Sequence, residues 1–232
     1  MVGVDRSSKT GGDGYRDAEG YPYPRGIRDN PSLRRRPLTP RTRIAYLDRA
    51  TAGDALTDPA AAVLHLIRTL GISPGGSQGA AHYGATTLLV RHIEVLQKAV
   101  RFSFTAHHGV QMDLRTDDPL TRQIARTYAV DKRPSDRLFD TTPKKVNAYL
   151  QRFLPGYTVK DLRTSLCCTL ARVEIARIDA EREYPQNVEE LELYMRDVAK
   201  FVASEVGNRW QAHLEANINP KLFDHWRAAA GV

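Results

Sequence analysis

At 232 residues and 26.0 kDa, the chain has room for one large domain or a domain with an appendage, since a domain usually takes about 100–200 residues. Its 41% hydrophobic content contains no apolar run near the roughly 18 residues of a membrane span, which excludes a transmembrane protein. The opening MVGVDRSSKTGGDGY lacks the apolar stretch of a secretory signal, so a cytoplasmic protein is expected. Lys and Arg outnumber Asp and Glu by 34 to 27, and 26 of those cations are Arg; this balance favours a polyanion such as nucleic acid, with an ordinary basic surface as the alternative.

Residues 1–43 read as a flexible basic tail and residues 44–232 as the folded domain. The tail carries GYPYPRG and the run Arg34, Arg35 and Arg36, followed by Arg41 and Arg43, with no acid between Pro31 and Ile44. Such a run suits an arm lying along a phosphate backbone, or a plain solvated linker. From Thr57, read as a cap, Pro59 opens a helix whose apolar positions are Ala62, Leu64, Leu66, Ile67 and Leu70, ended by Gly71. SPGGSQGAAHYG is loop by its glycines. HIEVL, AVRFSF and GVQMDL then alternate as three short strands, with His107, His108 and Gly109 turning between the last two.

The remainder is helical by its periodicity. Helices are expected over Pro119 to Val130, from Pro143 behind the cap Thr142, and from about Thr158 to Glu181 with a stripe of Leu162, Leu166, Leu170 and Val173. Two more run from Asn187 to Val206, stopped by Gly207, and from Pro220 to Ala230. The fold class is therefore α+β and mainly helical, with a small antiparallel three-stranded sheet. Cys167 and Cys168 are adjacent, which suits neither a disulfide framework nor half of a zinc site; they read as small buried residues, and Tyr83, Trp210 and Trp226 as packing groups.

YGATTLLVRHIEV, FTAHHGV, RLFDTTPKKVNAYL, TVKDLRT and VGNRWQAHLEANINPKLF, in that order, resemble the catalytic domain of type IB DNA topoisomerases of the bacterial and poxvirus kind. The resemblance spans about residues 55–226, with KDLRT and VNAYL the most specific pieces; tyrosine recombinases share the fold, but the local motifs are closer to the topoisomerases. It implies duplex DNA as partner and a tyrosine that forms a 3′-phosphotyrosyl bond, without metal or cofactor. Two arginines and a histidine or asparagine would offset charge on the nonbridging oxygens, and a hairpin lysine would protonate the leaving 5′ oxygen.

Arg163 of KDLRT matches the second arginine of that set, and Asn208 after Val206-Gly207 matches the histidine or asparagine; each also reads simply, as a surface arginine on a helix and as a polar residue behind a helix-capping glycine. His107 falls on the hairpin lysine, either a proton donor or a turn histidine without a duty. Leu70 falls on the first arginine, with Arg68 about 200° away around the helix. Asn217, nine residues after Asn208, falls on the nucleophilic tyrosine, and no tyrosine follows Tyr194. Lys144, Lys145 and Lys160, with Arg34, Arg35 and Arg36, are the further expected DNA contacts.

With Leu70, His107 and Asn217 departing from the family pattern, the sequence reads as a DNA-binding protein unable to cleave and religate DNA. Two alternatives stay open: an active topoisomerase, with Asn217 an inactivating substitution or another nucleophile in use, and a fold kept as a protein-interaction scaffold.

Overall fold

Helix α1 (Arg41–Asp54) opens the part of the chain that the computed structural model describes, namely residues 41–75, 82–106 and 109–232. Composition did not announce this helix, because its inward stripe consists of Ile44, Leu47 and Thr51, with Ala55 just beyond, and only two of these are large and apolar. Arg34, Arg35, Arg36, His107 and His108 lie outside the described residues. Helix α2 (Pro59–Leu70) is capped by Asp58, whose Oδ1 accepts from the Ala60 N–H at 2.7 Å. Thr57 is not the cap: its hydroxyl donates back to the Asp54 carbonyl.

The sheet is an antiparallel meander of β1 (Ile93–Val95), β2 (Val100–Thr105) and β3 (Gln111–Thr116) in the order β1-β2-β3. Val100, Phe102 and Phe104 of β2 point into the core while Arg101 and Ser103 face out, the two-residue period of a half-buried strand. Phe102 stands opposite Leu114, and Phe104 opposite Met112.

Helices α3 (Pro119–Ala129) and α4 (Pro143–Gln151) start on the side-chain caps Asp118 and Thr142, each with proline at the first position. Helix α5 (Val159–Glu181) starts with a reciprocal capping box between Thr158 and Asp161. Its buried stripe is Leu162, Arg163, Cys167, Cys168, Ala171, Ile175 and Ile178. Of the expected stripe, Leu162 is fully buried, Leu166 and Leu170 pack partly buried against the second half of the core, and Val173 is 60% exposed. Cys167 and Ala171 of α5 share a buried cluster with Leu191, Met195 and Val198 of α6 (Val188–Val206). A short α7 (Trp210–Ala216), which the sequence reading passed over, follows Gly207; the last segment is a 3₁₀ turn, Pro220–Phe223, running into α8 (Asp224–Ala229).

Buried apolar residues form two clusters. One gathers α1, α2, the sheet, α3, α4 and the start of α5 through Leu162; the other gathers the rest of α5 with α6, α7 and α8. Trp226 sits fully buried in the second cluster, with its indole N–H on Asp179 Oδ1 at 2.7 Å. Tyr194 packs edge-on against Trp226 and its hydroxyl donates to the Glu183 carbonyl, so it is a packing residue. The clusters meet where the C-terminal ends of α2 and α6 abut: a Cβ at Gly71, which has φ 64°, would stand 2.3 Å from Val206 Cγ1. Only glycine allows both the left-handed backbone and that approach.

Candidate functional site

Arg163 spans this seam. It follows Leu162, the last α5 residue of the first cluster, and precedes Cys167, the first of the second. Only 8% exposed, it donates from Nε to the Gly71 carbonyl at 2.7 Å, and from Nη2 to the carbonyls of Val206 at 3.3 Å and Gly207 at 3.4 Å. Two helix C-termini, each carrying partial negative charge, thus converge on one guanidinium. Among the described residues no carboxylate pairs with Arg163, and burial pulls its pKa down. A buried cation held only by dipoles is a stronger seat for an anion than one already neutralised. Nε and Nη2 are committed to the fold, and Nη1 carries the two remaining donors.

Beside Arg163 is a small cavity of about 40 Å³, lined by Ile72, Ser73, Phe104, Ala106, Met112, Val206 and Asn208 as well as Arg163. That is room for a few water-sized atoms, which fits phosphate oxygens and excludes a base. Asn208 adopts φ 92°, costly for a residue with a Cβ, on the order of 1–3 kcal/mol. It follows Gly207, where an added Cβ would stand 2.1 Å from Met112 Sδ. The Asn208 Oδ1 accepts from the Arg209 N–H at 2.9 Å, which turns Nδ2 into the donor end of the amide. Arg163 and Asn208, 45 residues apart in sequence, thus line one cavity.

The other expected positions are not assembled there. Leu70 is 8% exposed and belongs to the apolar core, ending α2 one residue before Gly71. Arg68, the cation near Leu70 in sequence, makes a two-pronged pair with Asp48 of α1 at 3.1 Å. Asn217 is 5% exposed and closes α7: its Nδ2 donates to the Ala212 carbonyl at 3.2 Å, and its own carbonyl accepts from Cys168 Sγ at 3.4 Å. It does not line the cavity. Lys144 and Lys145 are exposed in the first turn of α4, and Lys160 in the first turn of α5. Lys145 lines a separate open depression with Asp58, Asp140 and Arg152 at the N-terminal end of α2.

His213 is the residue that sequence reasoning missed. It is fully buried on α7, with Nε2 2.7 Å from the Gly207 carbonyl and Nδ1 3.6 Å from Cys167 Sγ. The signal lay in Trp210, His213 and Leu214, which share one helical face by their spacing of three and four. Cys167 and Cys168 are buried free thiols, as expected of them, and burial pushes the Cys167 thiol up to about 12. Among the described residues no group of three or more His, Cys, Asp or Glu is arranged to hold a metal ion, and no helix is long and apolar enough to cross a membrane.

Burial pulls the His213 pKa down to about 4; the nearby Arg163 charge adds to this, and the Gly207 carbonyl opposes it. An unfolded histidine titrates near 6.5, so between these values the unfolded chain takes up the proton first. The stability held by the neutral imidazole is whole above about pH 6.5 and is lost as pH falls towards 4, at most about 3 kcal/mol. The melting temperature is expected to drop across that window, and His213→Gln to flatten the drop. An equal slope in both proteins would show that other groups carry the acid sensitivity.

The family model of the eukaryotic DNA topoisomerase I catalytic core matches residues 39–218. The chain belongs to the type IB DNA topoisomerase family. Its matched segment opens just before α1 and ends one residue after Asn217, so the topoisomerase match takes in the sheet, the Arg163 seam and the turn bearing Asn208. DNA topoisomerase 1 alpha of Arabidopsis thaliana is 27% identical over 157 residues, covering 65% of this chain and 16% of the plant protein. The chain thus spans about a sixth of that relative's length.

Proposed function

We propose that this chain is a cytoplasmic, DNA-associated protein that holds duplex DNA by its phosphate backbone at the Arg163–Asn208 cavity and does not cleave it. KDLRT and VNAYL are read as motifs of the bacterial and poxvirus topoisomerases. The observation that carries the reading is the guanidinium without a carboxylate, beside an asparagine amide, in a cavity sized for phosphate oxygens. Family membership supplies duplex DNA as the polyanion, and the excess of 7 positive charges supplies long-range attraction. Lys145, exposed in the first turn of α4, is offered as a second contact to the backbone, while Arg34, Arg35 and Arg36 enter on sequence alone.

Loss of cleavage is supported by what the cavity lacks. Among the described residues lining it, Ser73 bears the hydroxyl and none is a tyrosine. A working enzyme with another nucleophile would therefore show an adduct at Ser73 first.

Phosphate-dominated binding predicts low sequence preference and a steep fall of affinity with salt, by orders of magnitude between about 50 and 200 mM. Gel shifts with two unrelated duplexes across that range test this. Affinity that ignores salt would refute it, and the absence of any binding would favour the scaffold reading.

A further inference from the structure

The turn between α6 and α7 runs from Gly207 to Arg209, and its first two residues, Gly207 and Asn208, are both at left-handed φ, 69° and 92°. A strained turn persists only where its surroundings over-determine it. Here the determinants converge on the Gly207 carbonyl, which lies 2.7 Å from His213 Nε2 and accepts from Arg163 Nη2 over a longer 3.4 Å. A carbonyl can only accept, so Nε2 carries the proton; Nδ1 is then an acceptor, and the Cys167 thiol 3.6 Å away is the donor facing it. Cys167 and Arg163 are one turn apart on α5. One helix therefore supplies both the cation and the thiol that orients the imidazole, and the imidazole holds the peptide from which Asn208 projects.

We propose that His213 is a positioning residue for phosphate recognition: by pinning the Gly207 carbonyl, it keeps the Asn208 amide and the Arg163 guanidinium directed at one cavity. This rests on the DNA-binding reading. His213 touches no ligand, being fully buried and absent from the cavity lining. An apolar side chain in its place leaves the carbonyl with only the long bond to Arg163, and the strained Asn208 backbone relaxes.

The test compares His213→Leu with His213→Gln, whose side-chain amide restores a donor to the carbonyl. Fluorescence anisotropy with a short duplex at fixed salt is expected to show about tenfold weaker binding for His213→Leu, the loss of about one hydrogen bond's worth of preorganisation. His213→Gln is expected to recover most of it. Asn208→Ala should weaken the wild type but add little to His213→Leu. A folded His213→Leu that binds as tightly as wild type overturns the proposal.

Amide spectra give a reading independent of DNA. The Gly207 and Asn208 backbone signals should shift in His213→Leu and return in His213→Gln; signals that stay unmoved overturn the proposal. Should the wild type fail to bind DNA, the DNA-binding reading falls, and the spectra alone decide whether His213 sets the turn. If His213→Leu does not fold, Cys167→Val, which removes the donor to Nδ1, replaces it beside Cys167→Ser. Weaker binding by the valine variant alone supports the proposal, and equal binding by both overturns it.

Discussion

Unmodified protein incubated with supercoiled plasmid is expected to leave it supercoiled and to form no covalent adduct that survives denaturing electrophoresis. The resemblance puts Asn217 at the nucleophile position, and a carboxamide does not attack phosphodiesters. Asn217→Tyr by itself is expected to restore trace cleavage at most, for two separable reasons. The site is 5% exposed and its amide is bonded within α7, so a larger ring has to displace neighbours at a cost of about 1–3 kcal/mol. Charge on the nonbridging oxygens would also lack the guanidinium absent at Leu70, and losing one such donor costs about 10²–10³ in rate in other enzymes. Adding Leu70→Arg addresses the second defect but puts a cation where an 8% exposed leucine fills the core; adding His107→Lys completes the family set. Activity is therefore expected to rise stepwise across the series while thermal stability falls. Robust relaxation by the unmodified chain, with the adduct mapped by mass spectrometry, would refute the loss of cleavage.

Arg163→Met is expected to be the most damaging single change, in stability as well as in binding. The side chain satisfies the carbonyls of Gly71, Val206 and Gly207, and a buried acceptor left without a donor costs about 1–3 kcal/mol. Some of the three will find other donors, so a loss of about 3–5 kcal/mol is expected, roughly 10 °C in melting temperature for a chain of this size. DNA affinity should fall further than stability alone explains. Arg163→Lys keeps the charge but reaches fewer of the carbonyls from a single nitrogen, and should recover part of the binding and less of the stability. A melting temperature unchanged in Arg163→Met would show that the guanidinium does not brace the seam.

The bracing role was not legible in KDLRT. A helical arginine in sequence reads as a phosphate ligand or a solvated surface group, and neither reading contains the helix C-termini it joins. His213 was hidden for a related reason: its spacing with Trp210 and Leu214 marks a buried face, but not that its partners are a carbonyl six residues back and a thiol on another helix. Arg68 was legible as a cation near Leu70, but its partner Asp48 lies on a helix with a faint apolar stripe.

What the sequence determined by itself were features set by short-range physics. Strand alternation placed β2 and β3 to within a residue or two, because side chains on adjacent positions face opposite ways. Thr142 with Pro143, Thr158, and Gly207 marked helix ends, because capping is settled within four residues. The nine-residue interval from Asn208 to Asn217 was likewise visible in one dimension. Tertiary structure alone decided how α5 is buried along its length, since Cys167 and Ala171 are enclosed in the second cluster while Leu166 and Leu170 pack at its margin. It alone decided that Arg163 and Asn208 share a cavity while Leu70 and Asn217 turn into the core, because those outcomes depend on where two helix ends meet, and no local preference encodes that distance.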